Sequence, residues 1–84
     1  MSQWAHKILD NEGKIVFLNT VFPDGRAAFY YMLLSRQNRS ELFEKLKGTE
    51  KIDLEKFGKV VRSGWGEPTE EDKEFMRRKY KAKV

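Results

Sequence analysis

The sequence predicts an α+β fold: a three- to four-stranded, mostly antiparallel sheet that begins as a β-meander, with two helices, in the order β-β-β-α-β-α. Three observations carry that prediction. Residues 6–34 alternate strand-forming runs with two turn sequences, Asn11-Glu12-Gly13 and Pro23-Asp24-Gly25. Two later segments open with helix-start signals, Asn38 with Glu41 and Thr69 with Asp72, and continue with apolar residues at helical spacing. Between them, Lys59-Val60-Val61-Arg62-Ser63 is rich in β-branched residues and reads as a fourth strand.

The elements follow in order. His6–Asp10 and Lys14–Val21 are joined by a loop with the length and glycine of a short hairpin. In Phe22-Pro23-Asp24-Gly25, proline suits the first corner of a turn and glycine a positive φ. The chain then returns as Arg26–Leu34. A turn at that point sets Val21 opposite Ala27, Asn19 opposite Phe29, Phe17 opposite Tyr31 and Ile15 opposite Leu33. The other face carries Val16, Leu18, Tyr30, Met32 and Leu34, which is also largely apolar, so alternation marks no solvent side. Helices on one face and a partner on the other would satisfy this pattern.

Asn38 and Glu41 form the pattern of a capping box for a helix over 39–47, with Gly48 as a left-handed stop. Leu42, Phe43 and Leu46 fall on one side of that helix, and Glu41 and Lys45 pair on the other. Residues 52–58 fit either a single helical turn closed by Gly58 or an extended segment. After the fourth strand, Gly64-Trp65-Gly66 is expected to leave regular pairing or to bulge. Thr69 and Asp72 then open a helix to about residue 82, whose apolar side is Phe75, Met76 and Tyr80.

Composition bounds the rest. The 84 residues fit a single domain, 1–84, without an internal repeat or linker, and a chain of this size buries only about 60% of its unfolded surface. With no cysteine, neither disulfides nor thiolate–metal sites can support the fold. Two Trp, three Tyr and six Phe must supply much of the core, at roughly 150–250 Å² buried per ring. The N-terminus lacks a secretory pattern, and no apolar run approaches the ~18 residues of a membrane span. A cytoplasmic protein with no membrane partner is expected.

Charge is mildly basic, 17 cationic against 13 anionic residues, which permits a polyanionic partner without requiring one. The sharper feature is the order of charges in the basic C-terminal helix. Glu67, Glu70, Glu71, Asp72 and Glu74 precede Arg77, Arg78, Lys79, Lys81 and Lys83, matching the helix dipole, and Glu74 stands four residues before Arg78. Arg77, Arg78 and Lys81 lie opposite the apolar side. They form either a solvated face or an anion-binding one.

Catalytic patterns are lacking. His6 is the single histidine, which removes most His-based relays and metal clusters. Asp10-Asn11-Glu12-Gly13 has turn chemistry and falls short of a calcium loop. The glycines of Gly64-Trp65-Gly66 share only part of a dinucleotide fingerprint and follow no βαβ unit. No enzymatic activity, metal or cofactor is therefore expected.

Trp65 is the most individual residue, an indole whose neighbours Gly64 and Gly66 offer no side chain to shield it. It either plugs the space between sheet and C-terminal helix or serves as a contact residue. The leading expectation is a small non-enzymatic module that binds a protein partner, or forms a homodimer, through a sheet face carrying Tyr30 and through Gly64-Trp65-Gly66 beside Arg62. The alternative is single-stranded RNA or DNA binding through Arg62, Arg77, Arg78 and Lys81, with Trp65 or Tyr30 stacking on bases. Arg26 ahead of Phe29-Tyr30-Tyr31 has the basic-then-aromatic composition of RNA-binding strands, without the glycines of the RNA-recognition signature.

Overall fold

A turn at Pro23-Asp24-Gly25 does set the register of the central strands. In the computed structural model, which describes residues 3–48 and 52–84, β1 (Gln3–Ile8), β2 (Ile15–Val21) and β3 (Ala27–Leu34) form the meander. Val21 opposes Ala27, Asn19 opposes Phe29, Phe17 opposes Tyr31 and Ile15 opposes Leu33, as the turn requires. Gly25 has φ 88° and its N–H donates to the Phe22 carbonyl at 2.9 Å. The other hairpin loop is closed by Asp10, whose carboxylate accepts from the Ile15 N–H at 2.9 Å.

Helix α1 (Arg36–Leu46) starts earlier than the sequence pattern suggests. Ser35, not Asn38, is its cap. Leaving β3 with an extended backbone, Ser35 is already in cap geometry, and its hydroxyl accepts from the Asn38 N–H at 3.1 Å. Asn38 is thereby freed for a tertiary role, donating from Nδ2 to the Phe57 carbonyl at 2.8 Å. Nor does Gly48 provide a left-handed stop: Lys47 ends α1 in right-handed geometry, and Gly48 is not among the positive-φ glycines. Residues Leu54–Lys56 form one 3₁₀ turn capped by Asp53. Gly58 then begins β4 (Gly58–Trp65) rather than closing the turn.

The sheet order is β1-β2-β3-β4 and every neighbouring pair is antiparallel. The bulge in β4 lies at Val61, between the Val60–Met32 and Arg62–Tyr31 pairs, while Gly64 and Trp65 remain in register with Phe29 and Ala28. Expected irregularity at Gly64-Trp65-Gly66 is thus displaced toward the strand's middle. There Val60 joins the packing on one sheet face and Val61 the packing on the other.

Each sheet face has its own helix. On one, Val16, Leu18, Met32 and Leu34 pack with Leu42 and Leu46 of α1 and with Leu54. On the other, Ile15, Phe29 and Tyr31 pack with Met76 of α2 (Glu70–Tyr80) and with Ala82. Two-sided apolarity in the strands therefore reflects a helix–sheet–helix sandwich, with no whole face left for a partner. Thr69 caps α2 in a full capping box with Asp72. The helix ends at Tyr80, short of residue 82, where Lys81 turns left-handed with φ 56°. Beyond it, the Lys83 N–H reaches the Leu9 carbonyl at 2.6 Å and ties the tail to the end of β1.

Candidate functional site

The end of the sheet near the Pro23-Asp24-Gly25 turn collects the exposed aromatic surface. Trp4, Thr20, Ala28 and Trp65 form one cross-strand row, a residue from each strand, and directly opposed residues share a face. That face is the one covered by α1. Trp4 is half-buried with its ring 6.0 Å from Tyr30, whereas Trp65, at the other edge, is 65% exposed. Of its two sequence-stated fates, plug or contact surface, Trp65 takes the exposed one.

The flanking glycines serve separate ends. A Cβ on Gly64 would stand 2.9 Å from the Phe29 ring, so the bare backbone lets that ring fill the α2-side core. Gly66 has φ 75°, a left-handed conformation costly for other residues, and its N–H donates to the Ala27 carbonyl at 2.7 Å. Together they hold Trp65 on a backbone-paired edge while the chain turns away toward α2.

Arg26 completes the corner, and the turn positions it. The Asp24 carboxylate accepts from the Arg26 backbone N–H at 3.1 Å and from Arg26 Nε at 2.7 Å. These bonds, the backbone one first, hold the Asp24 carboxyl below the usual carboxylate range. So braced, the Arg26 guanidinium lies 4.7 Å from the Trp65 ring centroid, within cation–π range. The Phe22 ring stands 5.8 Å from the same indole, tilted at 55° to it. A recess of about 300 Å³ is lined by Arg26, Ala27, Trp65 and Gly66. Val21, a further exposed large hydrophobic residue, opposes Ala27 at this corner.

The other sequence-derived candidates are dispersed. Tyr30 is half-buried among the α1-side residues. Arg62 opposes Tyr31 on the α2 face, away from the face of Trp65, and its Nε donates to Asp72 Oδ1 at 2.6 Å. Arg77 is bracketed by Glu70 at 3.8 Å and Glu74 at 3.4 Å, and its Nε donates to the Val84 carbonyl. Arg78 stands 3.9 Å from Glu74 and is largely exposed. Lys81 is the exposed left-handed cap of α2. His6 stacks on Phe43 of α1 with ring centroids 3.8 Å apart.

Asp72 is the most heavily engaged charge. It accepts from the Thr69 N–H at 2.9 Å, the Thr69 hydroxyl at 3.0 Å and Arg62. The Thr69 backbone bond is the main cause that lowers its pKa, followed by the Arg62 bond. This is a structural latch between β4 and α2. Beside it, Arg62, Arg78 and Lys79 surround Phe75 and Glu71 in an open depression of about 440 Å³. Arg62 and Lys79 both lie near the Phe75 ring, at 4.9 and 5.5 Å.

Sequence reasoning missed Arg26 and Phe22 as members of the aromatic corner. The turn signal placed Arg26 at the start of β3, but its encounter with Trp65 depends on the β3–β4 register. Among the described residues no group of three or more His, Cys, Asp or Glu is placed to hold a metal ion, and no helix is long and apolar enough to cross a membrane. Compared with protein families, curated proteins and solved structures, the chain matches none of them.

Proposed function

We propose that this protein is a small non-enzymatic binding module that docks a protein partner at the corner formed by Phe22, Arg26 and Trp65. One observation carries the proposal: Trp65 is 65% exposed on a strand whose backbone is fixed by pairing with β3. Trp and Arg are the side chains that most often dominate protein interfaces, particularly where a neighbouring rim excludes water. Here the indole is already oriented by Arg26 and Phe22, so little side-chain freedom remains to be lost on association.

Self-association through a whole sheet face has less support, because α1 and α2 each cover one. Nucleic-acid binding is also less favoured. Its stacking ring and its cations would need a common surface, whereas Trp65 and Arg62 lie on opposite faces and Arg77 is engaged by two carboxylates.

The test uses immobilised wild-type chain with lysate of the cells that make it, alongside the Trp65→Ala and Arg26→Ala variants. A partner retained by wild type should be lost with Trp65→Ala and weakened on the order of tenfold with Arg26→Ala, while Lys81→Gln retains it. Both corner variants should keep the wild-type circular dichroism spectrum. Equal retention by folded Trp65→Ala would reject the proposal, as would retention that disappears with nuclease treatment.

A further inference from the structure

β4 ends the sheet order, so one side of its backbone meets no neighbouring strand among the described residues. The Gly66 N–H donates to the Ala27 carbonyl, toward β3. Backbone groups along an antiparallel strand point alternately to its two sides, and Trp65 and Ser63 therefore turn their N–H and C=O groups outward. Both residues are in unbroken register with β3, opposite Ala28 and Tyr30, whereas the bulge at Val61 interrupts pairing farther back. The regular open edge is thus short, residues 62–65, and it ends at the exposed indole.

The surface flanking that edge is cationic. Of the residues lining the depression beside Arg62, only Arg62 belongs to the sheet; Glu71, Phe75, Arg78 and Lys79 belong to α2. The depression therefore borders β4 and not the inner strands. Three cations face one carboxylate there. Arg78 has only a 3.9 Å contact with Glu74, and Lys79 lies over the Phe75 ring. Lys59, opposite Leu33 on the same face, is exposed as well. Trp65 stands on the other face, so a partner that meets both the indole and the cations must reach across the strand edge. An extended strand does so, because its side chains alternate between the two faces.

We infer that the partner docks as an extended acidic segment, adding an antiparallel fifth strand along the open edge of β4. The inference rests on the Trp65 corner as the docking site and names the form of its partner. Main-chain bonds to Ser63 and Trp65 supply the pairing, apolar side chains of the segment lie beside the indole, and its acidic ones face Arg62, Arg78 and Lys79. A second copy of the chain fits this edge poorly. Joining β4 to β4 would bring the cations of two molecules together, and the bulge leaves little regular edge for two sheets to share.

The probe is an acetylated, amidated peptide of about eight residues that alternates glutamate with valine, titrated into the ¹⁵N-labelled chain. Amide hydrogen exchange at Ser63 and Trp65 should be fast in the free chain and slow on the order of tenfold by about 1 mM peptide. Saturable shifts should accompany it at residues 62–65 and 75–79. With glutamates toward the cations, the valines stand opposite Ser63 and Trp65, so methylating the valine nitrogens should abolish the slowing, as should replacing every glutamate by lysine. The double variant Arg78→Gln, Lys79→Gln, folded by circular dichroism, should bind on the order of tenfold more weakly. Unchanged exchange at both amides, slowing that survives valine methylation, or equal binding of the lysine peptide would overturn the added strand. Exchange that slows with protein concentration alone would overturn it in favour of a second copy. Failure of the corner reads differently: slowing at Ser63 undiminished in folded Trp65→Ala rejects the indole as anchor and leaves the strand, whereas shifts at Phe22 and Arg26 without slowing reject the strand and leave the corner.

Discussion

The two faces of the sheet are covered by helices of equal length, but they are held in different ways. Under α1 the layer is mainly apolar: Leu42 and Leu46 meet Val16, Leu18, Met32 and Leu34, and the aromatic rings of Trp4, Tyr30 and Phe43 close its margin, with Thr20 a buried polar residue on the same face. Under α2 only Met76 is a deeply buried apolar helix residue, and the other buried helix side chain is Asp72, hydrogen-bonded to Arg62 and Thr69. One helix is attached mainly by removal of hydrocarbon from water, which has no directional requirement. The other is clamped by charge-assisted bonds that demand geometry. The recess lined by Phe17 and Tyr31 lies on the α2 side.

That contrast can be broken most forcefully on the α1 side. Leu42→Ala removes a side chain with no exposed surface, and should cost about 3 kcal/mol of unfolding free energy. Urea unfolding of the wild-type and Leu42→Ala proteins at pH 7 measures that loss. A loss below about 1 kcal/mol would mean that this face does not depend on its apolar seal.

The clamp should behave differently. Asp72→Ala deletes half of the capping box and leaves Arg62 without its carboxylate, at a cost of about 2 kcal/mol. Since the folded Asp72 pKa lies below its ordinary value, the stabilisation it provides is complete above about pH 4, the unfolded range for Asp. It is then lost as pH falls through the lower folded value. Wild type should therefore lose stability on acidification below that point, and Asp72→Ala should show a shallower acid slope. Parallel slopes for the two proteins would show that the latch contributes nothing in the folded state.

The smallest effect sharpens the comparison instead. Lys81 occupies a left-handed conformation, φ 56°, at the end of α2, where a side chain costs roughly 1 kcal/mol relative to glycine. Lys81→Gly should raise the thermal midpoint by a few degrees, corresponding to about 0.5–1 kcal/mol. No increase would indicate that the lysine gains from its position something that glycine lacks.

Much of the local structure was legible. Thr69 and Asp72 stand three apart and specify their own capping box. Asn38 misled because its spacing to Glu41 imitates the same motif, while Ser35, hidden at the end of an apolar strand, had the extended backbone that a cap needs. Trp65 was recognisable as a singular residue, but its companions were not: Phe22 and Arg26 belong to a distant turn and meet it only after β4 pairs with β3. Tyr31 gave no sequence signal apart from that of a core aromatic residue.

By itself, the sequence determined whatever is settled within a few residues: the Pro23-Asp24-Gly25 turn, hence the β2–β3 register, and the cap that starts α2. Only tertiary structure decided the bulge at Val61, and with it the faces on which Arg62 and Trp65 stand. Without that extra residue, extending the Val60–Met32 pairing would move Arg62 to the α1 face and Trp65 to the α2 face. Both faces of this sheet are apolar, so periodicity along β4 could not choose between those arrangements. The choice came from packing on both sides at once, where Val60 and Val61 each find a separate core and Arg62 finds Asp72.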